Sequence, residues 1–340
     1  MIPRLVALLW NERTRRPRLP WRFVLGFVVL AVVTLTVDAL ARLVLPVPIE
    51  SVLALVTPGY PRERVVSALR GTVVIVGGSG VTVSGAYLAG RFVDRRWFRD
   101  FGLRLDREWW ADLVAGLALG AVLMTGVFLV ELVAGWVAVT DTFRIDQSGF
   151  AFWPWFGWSF VIYVAIGVSE EVLFRGYLLT NLSEGFTWFD RIDAKAAVGL
   201  ATLLTSVLFG VAHAGNPSAS LASTLGVALG AVMLAAGYVL TGRLALPVGL
   251  HITWNFVQGT VYGFPVSGTT HGLSVLAVEQ SGPRVVTGGA FGPEAGLVGV
   301  AAATAGLGLT VGWVRWRQGS VRIDPSVAAP ELRHTGGGEE

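Results

Sequence analysis

Eight long apolar runs dominate the chain, at residues 23–47, 71–90, 110–137, 152–182, 196–214, 217–241, 244–264 and 291–314. A helix that crosses a bilayer needs about 20 mostly apolar residues. The pattern therefore predicts an all-α, polytopic membrane protein with eight transmembrane helices. The fifth and seventh runs are short and broken by polar residues. Between the runs lie brief polar segments, with no internal repeat and no long linker, so a single membrane domain is expected over 23–318. A basic segment, 1–22, precedes it. The stretch 319–340, ending in Gly-Gly-Gly-Glu-Glu, reads as a disordered tail. The first run is preceded by 22 residues and followed by seven more runs, so it reads as a span and not as a cleaved leader.

Composition supports this reading. Apolar residues make up 53% of the 340 and charged residues only 14%, against about 25% charged in soluble domains. Forty-three glycines suit helices that approach closely in lipid, and 13 tryptophans suit the interfaces. There is no cysteine, which excludes a thiolate nucleophile, a disulfide and a Cys-based metal site.

The net charge of +3 does not point to nucleic acid, because the basic residues cluster between apolar runs. With eight spans, nineteen Lys and Arg fall on one side: the N-terminal segment, 91–107, 183–195, Arg243 and the residues after 314. Four, namely Arg62, Arg64, Arg144 and Arg284, fall on the other. By the positive-inside rule both termini are expected on the cytoplasmic side of the cell membrane.

The informative residues are the polar ones inside the runs, since an ionisable side chain at membrane depth costs at least a few kcal/mol. Late in the fourth run stand Glu170, Glu171 and Arg175. Glu171 and Arg175 are four apart with the acid first, the favoured order for an ion pair on a helix. Glu170 projects about 100° away and has no partner on its own helix. An unpaired enclosed carboxyl is suited to general acid or base work. The structural alternative is a helix end reaching the interface.

The fifth run carries Phe209 and His213 on one face. A lone membrane histidine is more often a helix–helix hydrogen bonder than a catalyst. The seventh carries His251 and Asn255, also four apart. That pair can donate to a developing oxyanion or simply make a polar interhelical contact. Counting from the cytoplasmic ends, Glu170 lies roughly 20 Å deep, His251 roughly 12 Å, Asn255 roughly 18 Å and His213 roughly 25 Å. The expectation is one water-filled cavity reached from the cytoplasm, with His213 the outlier. His271 and His334 receive no role.

Glu-Glu-x-x-x-Arg, Phe-x-x-x-His and His-x-x-x-Asn, in this order on separate spans, resemble the CPBP family of intramembrane proteases. That family includes type II CAAX prenyl endopeptidases and bacteriocin-processing or self-immunity (Abi) proteins. The stretches Glu170–Leu178 and Thr241–His251 also look like its signatures. The resemblance covers about 150–260 and implies a protease core at about 150–264. Carried over, it implies that Glu170 and His213 activate water and that His251 and Asn255 hold the oxyanion. Glu171, Arg175 and Phe209 support them.

The implied substrate is a membrane-anchored protein or peptide, prenylated ones included, met within the lipid bilayer. The family is described both as metal-dependent and as glutamate-dependent. A zinc site of the His₂Glu kind would use Glu170, His213 and His251, but it would occupy the obvious base, so a site that requires no metal is preferred. Two other classes compete. A proton-coupled transporter would also place Glu, His and Arg in the membrane, although the repeats expected of one are missing. A non-proteolytic scaffold or immunity protein could keep the motifs for structure.

Overall fold

The computed structural model describes residues 9–12, 14–44, 62–146 and 151–333. Eight helical segments occupy the eight apolar runs. They are α1 (Leu19–Val44), α2 (Arg62–Leu88), α3 (Arg107–Val133), α4 (Phe152–Glu171), α6 (Ala194–Ala212), α7 (Leu221–Thr241), α8 (Ala245–Phe256) and α10 (Leu297–Gln318). The described residues also form two short helices, α5 (Thr180–Phe186), which extends α4, and α9 (Arg284–Thr287). Six of the helices are long and apolar enough to cross a membrane. Three helices run on into π-turns, at Ala89–Val93, Val172–Leu179 and Val257–Val261. Such turns are frequent where a helix is reshaped for function.

Helix α8 is short because it fills the centre of the bundle; every residue in it except Asn255 is buried. It meets α3 backbone to backbone. A Cβ on Gly116 or Gly120 would collide with the Leu246 or Leu250 carbonyl, and one on Gly249 with the Leu113 carbonyl. Thr253 Oγ1 donates to the Leu117 carbonyl at 2.8 Å across the same seam. Glycine at the crossing removes the side-chain spacer that keeps ordinary helices 8–10 Å apart.

The segments expected on one side do meet at one end of the bundle. Arg22 and Arg96 reach Glu184 at 2.9 and 2.7 Å, and Arg16 also pairs with Glu184. Buried Asp94 lies among them, its carboxyl pushed up to about 6 by burial, with Arg22 and Arg96 pulling it back. At the same end Arg243 lies 3.6 Å from Asp106, and Arg317 pairs with Glu108.

One expectation needs correcting. The tail is not disordered through 320–333. Asp324 N donates to the Val239 carbonyl at 2.8 Å, Arg333 N donates to the Arg95 carbonyl at 2.7 Å, and Val327 and Ala328 are buried. These few apolar residues find a groove that composition alone does not reveal. Residues 334–340, His334 among them, lie outside the described residues. Beside the helices, Val137–Ile145 and Leu273–Gln280 form an antiparallel pair, β1 and β2, at the end away from the basic clusters. The register runs from Val137 opposite Gln280 to Ile145 opposite Leu273, a contact invisible to local periodicity.

Candidate active site

The cavity face of α4 is Tyr163, Ile166 and Glu170, three and four residues apart as helical geometry requires. They line an enclosed space of about 290 Å³ together with Phe209, His213, His251 and Asn255. Three separate stretches of sequence therefore present their polar residues to one volume, and His213 is not the outlier that depth counting suggests. It caps α6 one residue beyond Ala212.

Glu171 faces away from the cavity and is fully buried. Its Oε1 accepts from Arg175 Nη1 and from His251 Nδ1, both at 2.8 Å. The expected Glu171–Arg175 pair is formed, and it has a third member that spacing could not show. Arg175 also donates from Nη2 to the Ala231 carbonyl at 3.1 Å and lays its guanidinium 4.5 Å from the Phe209 ring centre. Phe209 in turn touches both imidazoles, with ring centres 4.6 Å from His213 and 6.0 Å from His251. An enclosed arginine between a carboxylate, a carbonyl and an aromatic face is a rigid wedge between α4, α6 and α7.

Hydrogen bonding determines what each imidazole offers. His213 Nδ1 lies 2.8 Å from the Phe209 carbonyl. A carbonyl only accepts, so Nδ1 carries the proton and neutral His213 is left with an acceptor at Nε2. His251 Nδ1 likewise donates to Glu171, which turns its Nε2 toward Glu170 Oε2 at 3.8 Å. That oxygen of Glu170 is buried and has no hydrogen-bond partner in the protein. The Glu170 side chain is 29% exposed, so it is the carboxyl that meets the cavity.

Among the described residues no three His, Cys, Asp or Glu side chains are grouped to hold a metal ion. Of the three residues that a His₂Glu site would use, His213 and His251 hydrogen-bond through Nδ1, while Glu170 Oε2 has no partner in the protein.

The cavity does not extend toward the basic end, as the depth argument assumes. It is lined on its far side by Asn216, Ser267, Thr269, His271 and Glu294. These belong to the loops at the opposite end, after α6, after α8 and before α10. None was a candidate from sequence. Tyr163 stands seven residues before Glu170 and could have been found by helical spacing. His271, which sits edge-on to Tyr163 with ring centres 5.5 Å apart, carries no such signal.

Comparison with known proteins yields one family. The family model described as type II CAAX prenyl endopeptidase Rce1-like matches residues 152–257. That interval holds all seven residues picked out by the motifs. No curated protein and no solved structure matches the chain.

Proposed function

With residues 152–257 forming an Rce1-like type II CAAX prenyl endopeptidase domain in a polytopic helical membrane protein, we propose that the chain is an intramembrane endopeptidase. It hydrolyses a peptide bond in a membrane-tethered protein or peptide, prenylated substrates among them, and requires no metal.

Glu170 and His213 Nε2 are two acceptors, matching the two O–H bonds of one water. Glu170 takes a proton as the water oxygen bonds to the carbonyl carbon. The oxyanion that forms is met by the Asn255 amide and by His251 Nε2–H. For Nε2 to donate while Nδ1 donates to Glu171, the His251 ring carries both protons in this step. The proton held by Glu170 then passes to the leaving nitrogen as the C–N bond breaks. Glu171 and Arg175 hold His251 in place, and Phe209 supports both imidazoles. The basic end of the bundle faces the cytoplasm, with both termini on that side.

The observation that carries this reading is Glu170 Oε2, buried, unpartnered and 3.8 Å from His251 Nε2 on the wall of one cavity. The test is cleavage of candidate peptides by the purified protein in detergent, with and without chelator. Cleavage that survives exhaustive chelation is expected. Absence of cleavage across prenylated and unprenylated membrane-tethered peptides would overturn the activity. Loss on chelation with recovery on adding zinc would overturn the metal-free scheme.

A further inference from the structure

The two helices that carry the imidazoles, α6 and α8, have little direct packing against one another; each packs on α7. His213 moreover sits at the free end of α6, followed by a loop. Something other than helix packing must hold it against His251 and Asn255.

A chain of hydrogen bonds spans that gap. Asn216, three residues beyond His213, donates from Nδ2 to the Ser267 carbonyl at 3.0 Å. Ser267 N donates to Glu294 Oε1 at 3.1 Å, and its hydroxyl reaches the same oxygen at 3.5 Å. Glu294 Oε2 accepts from Gln258 Nε2 at 2.7 Å. Gln258 is fully buried in the π-turn that ends α8, three residues beyond Asn255. Its Nε2 also donates to the Pro265 carbonyl at 2.6 Å.

The backbone of this strap is strained. Ser267 has φ 46°, a conformation that a residue with a Cβ keeps only when its surroundings impose it. Gly268 follows at φ 83°, against the Pro217 carbonyl, where a Cβ would collide. Its N–H donates to the Phe291 carbonyl at 2.7 Å.

Glu294 is the junction. A carboxylate accepts on both oxygens at once, whereas an amide accepts on one. The donors converging here, Ser267 and Gln258, are uncharged and come from opposite sides. We infer that Glu294 is a positioning residue, which sets the separation of His213 from His251 and Asn255 through Ser267 and Asn216 on one side and Gln258 on the other. This inference rests on the reading of those three residues as the hydrolytic site.

The test uses the full-length protein in detergent and the peptide cleaved by wild type. Glu294→Ala is expected to lower kcat on the order of 10²-fold, the scale of a misplacement of about 1 Å, with KM changed only a few-fold. Glu294→Gln should fall between, since it keeps one of the two acceptors. Gln258→Leu, which keeps most of the volume but removes the donor to both Glu294 and Pro265, should lower kcat in the same way, which a merely space-filling role would not predict. Hydrogen exchange at Ser267 N and Gly268 N should accelerate in Glu294→Ala.

Should that variant not fold, Asn216→Ala severs the strap at its other end and is expected to lower kcat in the same way. Wild-type kcat in Glu294→Ala, or a loss expressed wholly in KM, would overturn the inference. A wild-type protein that cuts nothing would sink the proposed hydrolysis instead. The strap is then judged by exchange alone: protection lost in Glu294→Ala supports it, and unchanged exchange overturns it.

Discussion

The carboxylate of Glu171 accepts from His251 Nδ1 at 2.8 Å on the same oxygen that accepts from Arg175. Two roles meet in that atom. It neutralises an arginine that is otherwise enclosed in apolar surroundings, and it fixes which imidazole nitrogen of His251 faces Glu170. Glu171→Gln and Arg175→Met should each lower stability by about 3–5 kcal/mol, the cost of stranding one partner of a buried pair. The double variant should recover part of the stability. Activity should recover less, because the neutral amide oxygen of Gln holds His251 Nδ1 more weakly than the carboxylate does. Thermal unfolding in detergent measures the first effect and peptide cleavage the second. Two single variants as stable as wild type would show that the pair contributes nothing.

Glu170→Gln should leave folding and membrane insertion intact while lowering turnover about 10²–10⁴-fold, the usual contribution of a general base. The amide keeps the shape of the side chain but cannot take a proton from water. Near-wild-type turnover in a well-folded variant would place the chemistry elsewhere.

Asn255→Ala tests the oxyanion role. Asn255 is the one residue of α8 that is not buried, and it lines the cavity. Loss of one oxyanion donor should lower kcat by roughly 10²–10³-fold with any bound metal unchanged. A measurement of metal content beside turnover separates this from a ligand role: about one zinc per chain, lost in step with activity on changing His213 or His251, would favour the metal scheme.

Glu294 carries a pH signature in stability. Burial pushes its carboxyl up to about 7 from an ordinary 4.5, against the pull of the hydrogen bonds from Gln258 and Ser267. The folded protein then binds more protons than the unfolded chain between those values. Stability should therefore fall as pH rises from about 4.5 to 7 and level off above. The total is about 2 kcal/mol once partial exposure to the cavity is allowed for. Unfolding midpoints at pH 5, 6, 7 and 8 should show this slope in wild type and a flatter profile in Glu294→Gln. Equal slopes would mean that the carboxyl titrates as it does in the unfolded chain.

The nineteen-to-four distribution of Lys and Arg predicts cytoplasmic termini. A reporter fused after Glu340 that requires the cytoplasm should be active. Activity only from a reporter that requires the opposite compartment would invert the topology.

Much of the protein is legible without coordinates, because a bilayer imposes local rules. Each crossing needs its own apolar stretch, so the eight helical segments stand where the apolar runs do. Each polar residue at membrane depth is costly enough to stand out, so Glu170, Glu171, Arg175, His213, His251 and Asn255 are visible singly. The Glu171–Arg175 pair is visible too, since both members lie on one helix at a spacing of four.

What the sequence could not supply depends on relations between helices and loops far apart in the chain. The reach of His251 to Glu171 spans 80 residues, and the β1–β2 pairing joins Val137 to Gln280. The direction in which the cavity extends depends on three loops whose polar residues are ordinary in water-facing sequence. Depth counting misplaced His213 because it treats each helix as an independent vertical ruler. Glycines at 116, 120 and 249 draw α3 against α8, and the hydrogen bonds through Ser267 and Glu294 join the ends of α6 and α8. Local spacing decides which residues share a face; only packing decides which faces meet.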